Sequence, residues 1–190
     1  MVGVLVVAII AAVGVFIYYE LPEDDGGCGD SVLTVTYQGD EWTYTVCDLK
    51  DLSSMTGEGG MKTSIETIKG PWQFTGVSFP DIIQDLSVPI GGNISVTVTD
   101  TADSNNASDD YSRTFDAEVL RGNMTVYDAS GNITNDSARP IPILAYKMNG
   151  EAVADEDGPL RVAFVAQDGE VYTPSRNWVK SVDQVEVTLS

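Results

Sequence analysis

Apolar residues run unbroken from Val2 to Tyr19, after which apolar and polar residues begin to alternate. The first pattern predicts a helix. Its 18 residues carry no charge and no proline, and at 1.5 Å per residue they span about 27 Å, close to the hydrocarbon thickness of a bilayer. Val2, Val6, Ile9, Val13 and Phe16 supply its apolar surface, and Tyr18 and Tyr19 stand at its end, where amphipathic rings suit a headgroup layer. A cleaved secretory signal starts with basic residues and ends at small ones; Phe16-Ile-Tyr-Tyr-Glu20 offers neither, so the helix is read as retained. Residues 20–31 then form an acidic, glycine-rich hinge, with Pro22 closing the helix.

From residue 32 to 190 the pattern is that of one strand-rich α+β domain. Leu33, Val35 and Tyr37 alternate with Thr34 and Thr36, Gly39-Asp40 turns the chain, and Trp42, Tyr44 and Val46 continue the alternation. Asp48 caps a short helix over Leu49 to Leu52, Gly57 to Gly60 reads as a flexible loop, Lys62 to Ile68 as a strand and Gly70-Pro71 as a turn. Pro80 opens a helix over Ile82 to Leu86. Ile94 to Thr99 is a strand, Asp100 to Tyr111 a polar loop, Phe115 to Leu120 a turn of helix, Met124 to Tyr127 a strand and Gly131 to Arg139 another polar loop. Strands near Ile143 to Tyr146, Leu160 to Val165 and Val182 to Leu189 complete the domain, with a tight turn at Asn149-Gly150.

Charge narrows the partners. Asp and Glu number 29 against 10 Lys and Arg, and none of the basic residues precedes Lys50. Nucleic acid and anionic lipid surfaces need basic patches, so neither is expected as a partner. The absence of histidine removes Ser-His-Asp and Cys-His catalysis and the commonest zinc ligand. Acid clusters such as Asp155-Glu-Asp157 and Asp100 to Asp110 offer oxygen ligands for a hard cation such as Ca²⁺, but without EF-hand spacing, and no metal ligand is assigned.

Five Asn-x-Ser/Thr sequons, beginning at Asn93, Asn106, Asn123, Asn132 and Asn135, favour an extracellular, glycosylated surface. Cys28 and Cys47 are compatible with that compartment as a disulfide; free thiols, or a lipid on Cys28, are the other readings.

Three blocks carry a resemblance. Ile143-Leu-Ala-Tyr-Lys-Met-Asn-Gly150, then Gly158-Pro-Leu-Arg161, then Trp178-Val-Lys180, resemble in order and spacing the C-terminal half of the molybdopterin-binding domain of the sulfite oxidase family. Gly70-Pro-Trp-Gln-Phe-Thr-Gly-Val77 followed by Pro80 to Leu86 looks like that family's glycine-valine and short-helix element, and the likeness runs from about Val32 to Val187. It implies that family's fold, with Arg161 and Lys180 beside the pterin; the other reading of Arg161 is a strand residue paired to a carboxylate. The family binds molybdenum through a cysteine thiolate, a soft ligand for a high-valent metal. The comparable stretch, Thr63-Ser-Ile-Glu-Thr-Ile-Lys69, has no cysteine, and Asp157 stands where the family often has a histidine. Loss of the molybdenum centre, no catalytic residues and no bound cofactor are therefore expected, leaving a structural or binding role; a membrane-anchored molybdopterin oxidoreductase is the enzymatic alternative.

The apolar helix also resembles that of archaeal type IV pilin-like subunits. Small residues in Val6-Val-Ala-Ile-Ile-Ala-Ala12 permit close helix packing. The helix then contacts membrane lipid or copies of itself in a filament, and the domain faces outward from a cell surface.

Overall fold

A computed structural model describes residues 29–88, 93–101, 111–134 and 139–189. The expected helix from Val2 to Tyr19, most of the hinge, Cys28, Asn106 and Asn135 lie outside the described residues. Among the described residues no helix is long and apolar enough to cross a membrane.

The first hairpin pairs β1 (Leu33–Tyr37) with β2 (Asp40–Tyr44). Its turn is Gln38-Gly39, with φ of 52° and 92°, one residue earlier than expected. Positive φ at both central positions matches the right-handed twist of the flanking strands. Helix α1 (Val46–Asp51) begins three residues before the expected start. Thr45 is its cap: the Thr45 hydroxyl accepts from the Asp48 N–H, and the Asp48 carboxylate accepts from the Thr45 N–H. Asp48 is thus the returning half of a capping box rather than the cap.

The next stretch reverses three expectations. The Gly57 to Gly60 loop and the Lys62 to Ile68 strand are replaced by β3 (Ser54–Lys62), a short turn, and β4 (Ile68–Ser78). Glycines fill β3 because another strand crosses it, as described below. Gly70-Pro71 lies inside β4 opposite a register shift between Gly59 and Met61, where a residue with no N–H is tolerated in a ladder. Helix α2 (Phe79–Asp85) starts as Pro80 indicates, capped by Ser78, and buries Phe79, Ile82 and Ile83.

Strand β5 (Ile94–Asp100) is as expected, but Phe115 belongs to β6 (Tyr111–Asp116), not to a helix. Asp116 caps the single-turn α3 (Ala117–Leu120). The remaining strands are β7 (Val126–Tyr127), β8 (Ile133–Thr134), β9 (Ile141–Met148), β10 (Glu151–Ala152), β11 (Arg161–Val165), β12 (Tyr172–Pro174) and β13 (Gln184–Leu189). Asn149 and Gly150 join β9 to β10 with φ of 55° and 86°, the expected tight turn.

Among the described residues these strands form a five-stranded sheet, β2-β1-β13-β5-β6, and an eight-stranded one, β10-β9-β4-β3-β12-β7-β8, with β11 on β9. Beyond β11, Ala166 pairs with Glu58 of β3 through two hydrogen bonds of 3.0 and 3.1 Å. That bridge joins the path β11-β9-β4-β3 back on itself. A Cβ on Gly57 would lie 2.4 Å from the Ala166 carbonyl oxygen, and one on Gly59 only 2.0 Å from that of Phe164. The crossing therefore needs glycine.

One core draws on both sheets. A run of ring contacts threads it: Phe79 to Phe115 at 6.0 Å, Phe115 to Phe164 at 5.7 Å, Phe164 to Trp178 at 6.3 Å and Trp178 to Phe74 at 5.4 Å. Tilted and edge-on rings at these separations add specific geometry to the burial.

Candidate functional site

Both residues that the resemblance places beside a cofactor meet at Asp157. A 3-10 turn, Asp155–Asp157, leads through Gly158 into β11. Gly158 has φ of 73° and a Cβ there would fall 2.4 Å from the Ser181 Cα, so only glycine allows this approach. The Ser181 N–H donates to the Asp157 carbonyl at 2.7 Å, which holds the following strand of chain against the turn. Arg161, 4% exposed, donates through Nη1 to Asp157 Oδ2. Lys180 approaches the other oxygen as an ion pair outside hydrogen-bond geometry.

The Arg161 guanidinium also lies 5.6 Å from the Phe74 ring centroid and 5.9 Å from that of Trp178. Trp178 is anchored in turn, its indole N–H donating to Thr173 Oγ1 at 2.8 Å. Burial pushes the Arg161 guanidinium below its ordinary value and Asp157 opposes the shift; arginine remains a cation. Among the described residues its Nε has no hydrogen-bond partner. Arg161 is thus the carboxylate-paired strand residue of the second reading, and Trp178 is core.

This arrangement does not fit a pterin cofactor carrying molybdenum. The guanidinium is turned into an aromatic core and neutralised there, and no cysteine follows Cys47 in the sequence. Asp157 is engaged by the two cations, and no group of three or more His, Cys, Asp and Glu converges among the described residues.

A second constellation was not singled out in the sequence. A pocket of about 200 Å³ is lined by Lys62, Thr63, Ser64, Glu66, Tyr127, Pro174, Ser175 and Arg176. It is formed where the β3–β4 turn meets β7, the end of β12 and the 3-10 turn Ser175–Asn177. Lys62 pairs with Glu66, donates to the Gly131 carbonyl at 2.9 Å and lies 4.6 Å from the Tyr127 ring centroid. Reading Lys62 to Ile68 as a strand hid the pocket. The available signal was Lys62-Thr-Ser64, three polar residues that a buried strand does not supply.

Asn93, Asn123 and Asn132 are exposed. Asn123 Nδ2 donates to Glu118 at 2.7 Å, and Asn132 Nδ2 to Asp128 at 3.3 Å. No free cysteine occurs among the described residues, and Cys47 is present as half of a disulfide; Cys28, its expected partner, lies outside them.

No family model matches the chain, and no curated protein matches it. Among solved structures the chain is similar to the sulfane dehydrogenase SoxCD from Paracoccus pantotrophus, with a TM-score of 0.53 and 18% identity. The similarity covers 85% of this chain and 39% of that one, so this chain spans about two fifths of its neighbour's length. At this identity the likeness speaks for the fold alone: the domain has, coarsely, a SoxCD-like strand-rich fold.

Proposed function

We propose that this chain is a cell-surface protein whose domain has a molybdopterin-binding-like fold without molybdenum catalysis, serving a structural or binding role. The observation that supports it is the closure of the Arg161 and Lys180 cations on Asp157. A phosphate-bearing cofactor needs such cations to face it, and here one is buried among Phe74 and Trp178 instead. The apolar segment from Val2 to Tyr19 holds the protein in membrane lipid or packs with copies of itself, and the sequons and the acidic surface fit an exterior, glycosylated domain.

Electron microscopy of the native protein, isolated without detergent, separates these arrangements. Ordered filaments support a pilin-like subunit. Material that enters solution only with detergent, as single particles, supports a bilayer anchor. A chain recovered without detergent as free monomers contradicts both, and with them the surface assignment.

A further inference from the structure

We propose that the pocket between the β3–β4 turn and the Ser175–Asn177 turn binds a small organic oxyanion, a carboxylate or phosphate ester. This site is separate from Arg161 and Lys180 and does not depend on the surface assignment. Its lining combines two cations, one carboxylate (Glu66, paired to Lys62), the aliphatic hydroxyls of Thr63, Ser64 and Ser175, and a wall of Pro174 and the Tyr127 phenol. In a chain with only 10 basic residues against 29 acidic ones, two basic side chains converging on one concave pocket is the feature that stands out.

The two cations have different parts. Lys62 is already engaged by Glu66, by the Gly131 carbonyl and by the Tyr127 ring, so it is a fixed local charge and a strut for the pocket wall. Arg176 is exposed, and among the described residues its guanidinium has no ion pair or hydrogen bond; only its carbonyl is engaged, accepting from the Tyr111 hydroxyl at 2.9 Å. A guanidinium with its planar fork of donors free is suited to two oxygens of one anion.

The hydroxyls are also available. Thr63 Oγ1 accepts from the Thr67 N–H at 3.0 Å, which leaves its own proton to donate. Ser64 and Ser175 make no side-chain hydrogen bond among the described residues. Arg176, Thr63, Ser64 and Ser175 therefore present donors to a common space, and Glu66 can accept from a hydroxyl on the ligand body. Size sets the class. The pocket's roughly 200 Å³ falls below the range of about 300–1,000 Å³ usual for drug-sized ligands, so it admits a sugar-sized molecule rather than a pterin nucleotide.

The test is calorimetric titration of the full chain at low ionic strength with inorganic phosphate and, separately, with glucuronate. Saturable binding of either at one site per chain is expected; phosphate alone marks a phosphate ester as the ligand class, and glucuronate alone a carboxylate. Arg176→Gln should weaken that binding about tenfold, the size of a lost charge-assisted hydrogen bond. Arg121→Gln, at a half-exposed arginine whose ion-pair partner among the described residues is Glu118, should leave it unaltered. Binding of neither probe, equal binding by Arg176→Gln, or an equal loss in Arg121→Gln overturns the proposal.

Discussion

Arg161 and Asp157 form an ion pair whose side chains are only 5% and 13% exposed. A buried pair is weak evidence of net stabilisation, because desolvation of both groups offsets their attraction. Breaking it is another matter. Asp157→Ala strands a guanidinium between Phe74 and Trp178, and should cost about 3–5 kcal/mol. Replacing both members by apolar residues, Asp157→Leu with Arg161→Met, should recover most of that loss. Denaturant midpoints of the two variants decide it; a double variant as unstable as the single one would show that the pair specifies more than local charge balance.

The strand crossing makes a steric prediction. Gly59→Ala sets a methyl carbon 2.0 Å from a backbone oxygen that cannot move aside without breaking the β11 ladder. The loss should reach about 3 kcal/mol. Gly39→Ala meets nothing within 4 Å and suffers only its positive φ, at about 1–2 kcal/mol. Equal losses for the two would place the crossing elsewhere.

At alkaline pH two tyrosines should govern stability. Burial, then a hydrogen bond to Glu170, raises the Tyr172 hydroxyl to about 12, against about 10 for an unfolded chain. Between those values the unfolded state has released a proton that the folded state keeps, so stability falls as pH rises. Tyr44 shifts in the same direction through burial and Asp85. Spectrophotometric titration should show two late-titrating tyrosines, and Tyr172→Phe should flatten the stability profile between about pH 10 and 12.

At acid pH the sign is opposite. Backbone and side-chain donation from Thr45 holds Asp48 below its ordinary value, and the Asn132 N–H does the same for Asp128. Stability from these groups is present above the unfolded carboxylate value near 4 and is lost as pH falls through the lower folded value. Asp48→Asn should flatten that acid limb; a limb unchanged in both Asp48→Asn and Asp128→Asn would exclude these turns as its source.

Much of the fold was legible because period-two alternation survives wherever one strand face is buried. Leu33 and Val35, and Ile94, Val96 and Val98, read as strands and are strands, each of these residues at most 3% exposed. The reading failed where distant chain decides local form. Gly57 to Gly60 has loop composition, yet is strand: it pairs with β4, and Ala166 and Phe164 approach Gly57 and Gly59 too closely for side chains there. Phe115 looked helical beside Ala117 to Leu120, but its partner is Val96 on β5. Arg161 was visible as a carboxylate-paired residue, and its partner stood four positions away. The pocket was not visible, since Lys62 and Arg176 are 114 residues apart in sequence and only the parallel pairing of β12 with β3 brings them to one place.

Cys47 and Cys28 make a redox prediction. A bond between them closes a loop short enough to contribute about 3 kcal/mol through restriction of the unfolded chain. Thiol titration of the denatured, unreduced protein should find no free sulfhydryl, and reduction should lower the denaturant midpoint. Two reactive thiols would contradict the pairing.

Molybdenum and tungsten content of the natively isolated chain tests the central claim most directly. Closure of Arg161 and Lys180 on Asp157, with no cysteine after Cys47, predicts neither metal above background and no pterin fluorescence after acid release. Either metal in stoichiometric amount with the chain, accompanied by released pterin, would contradict it and require a ligand other than cysteine.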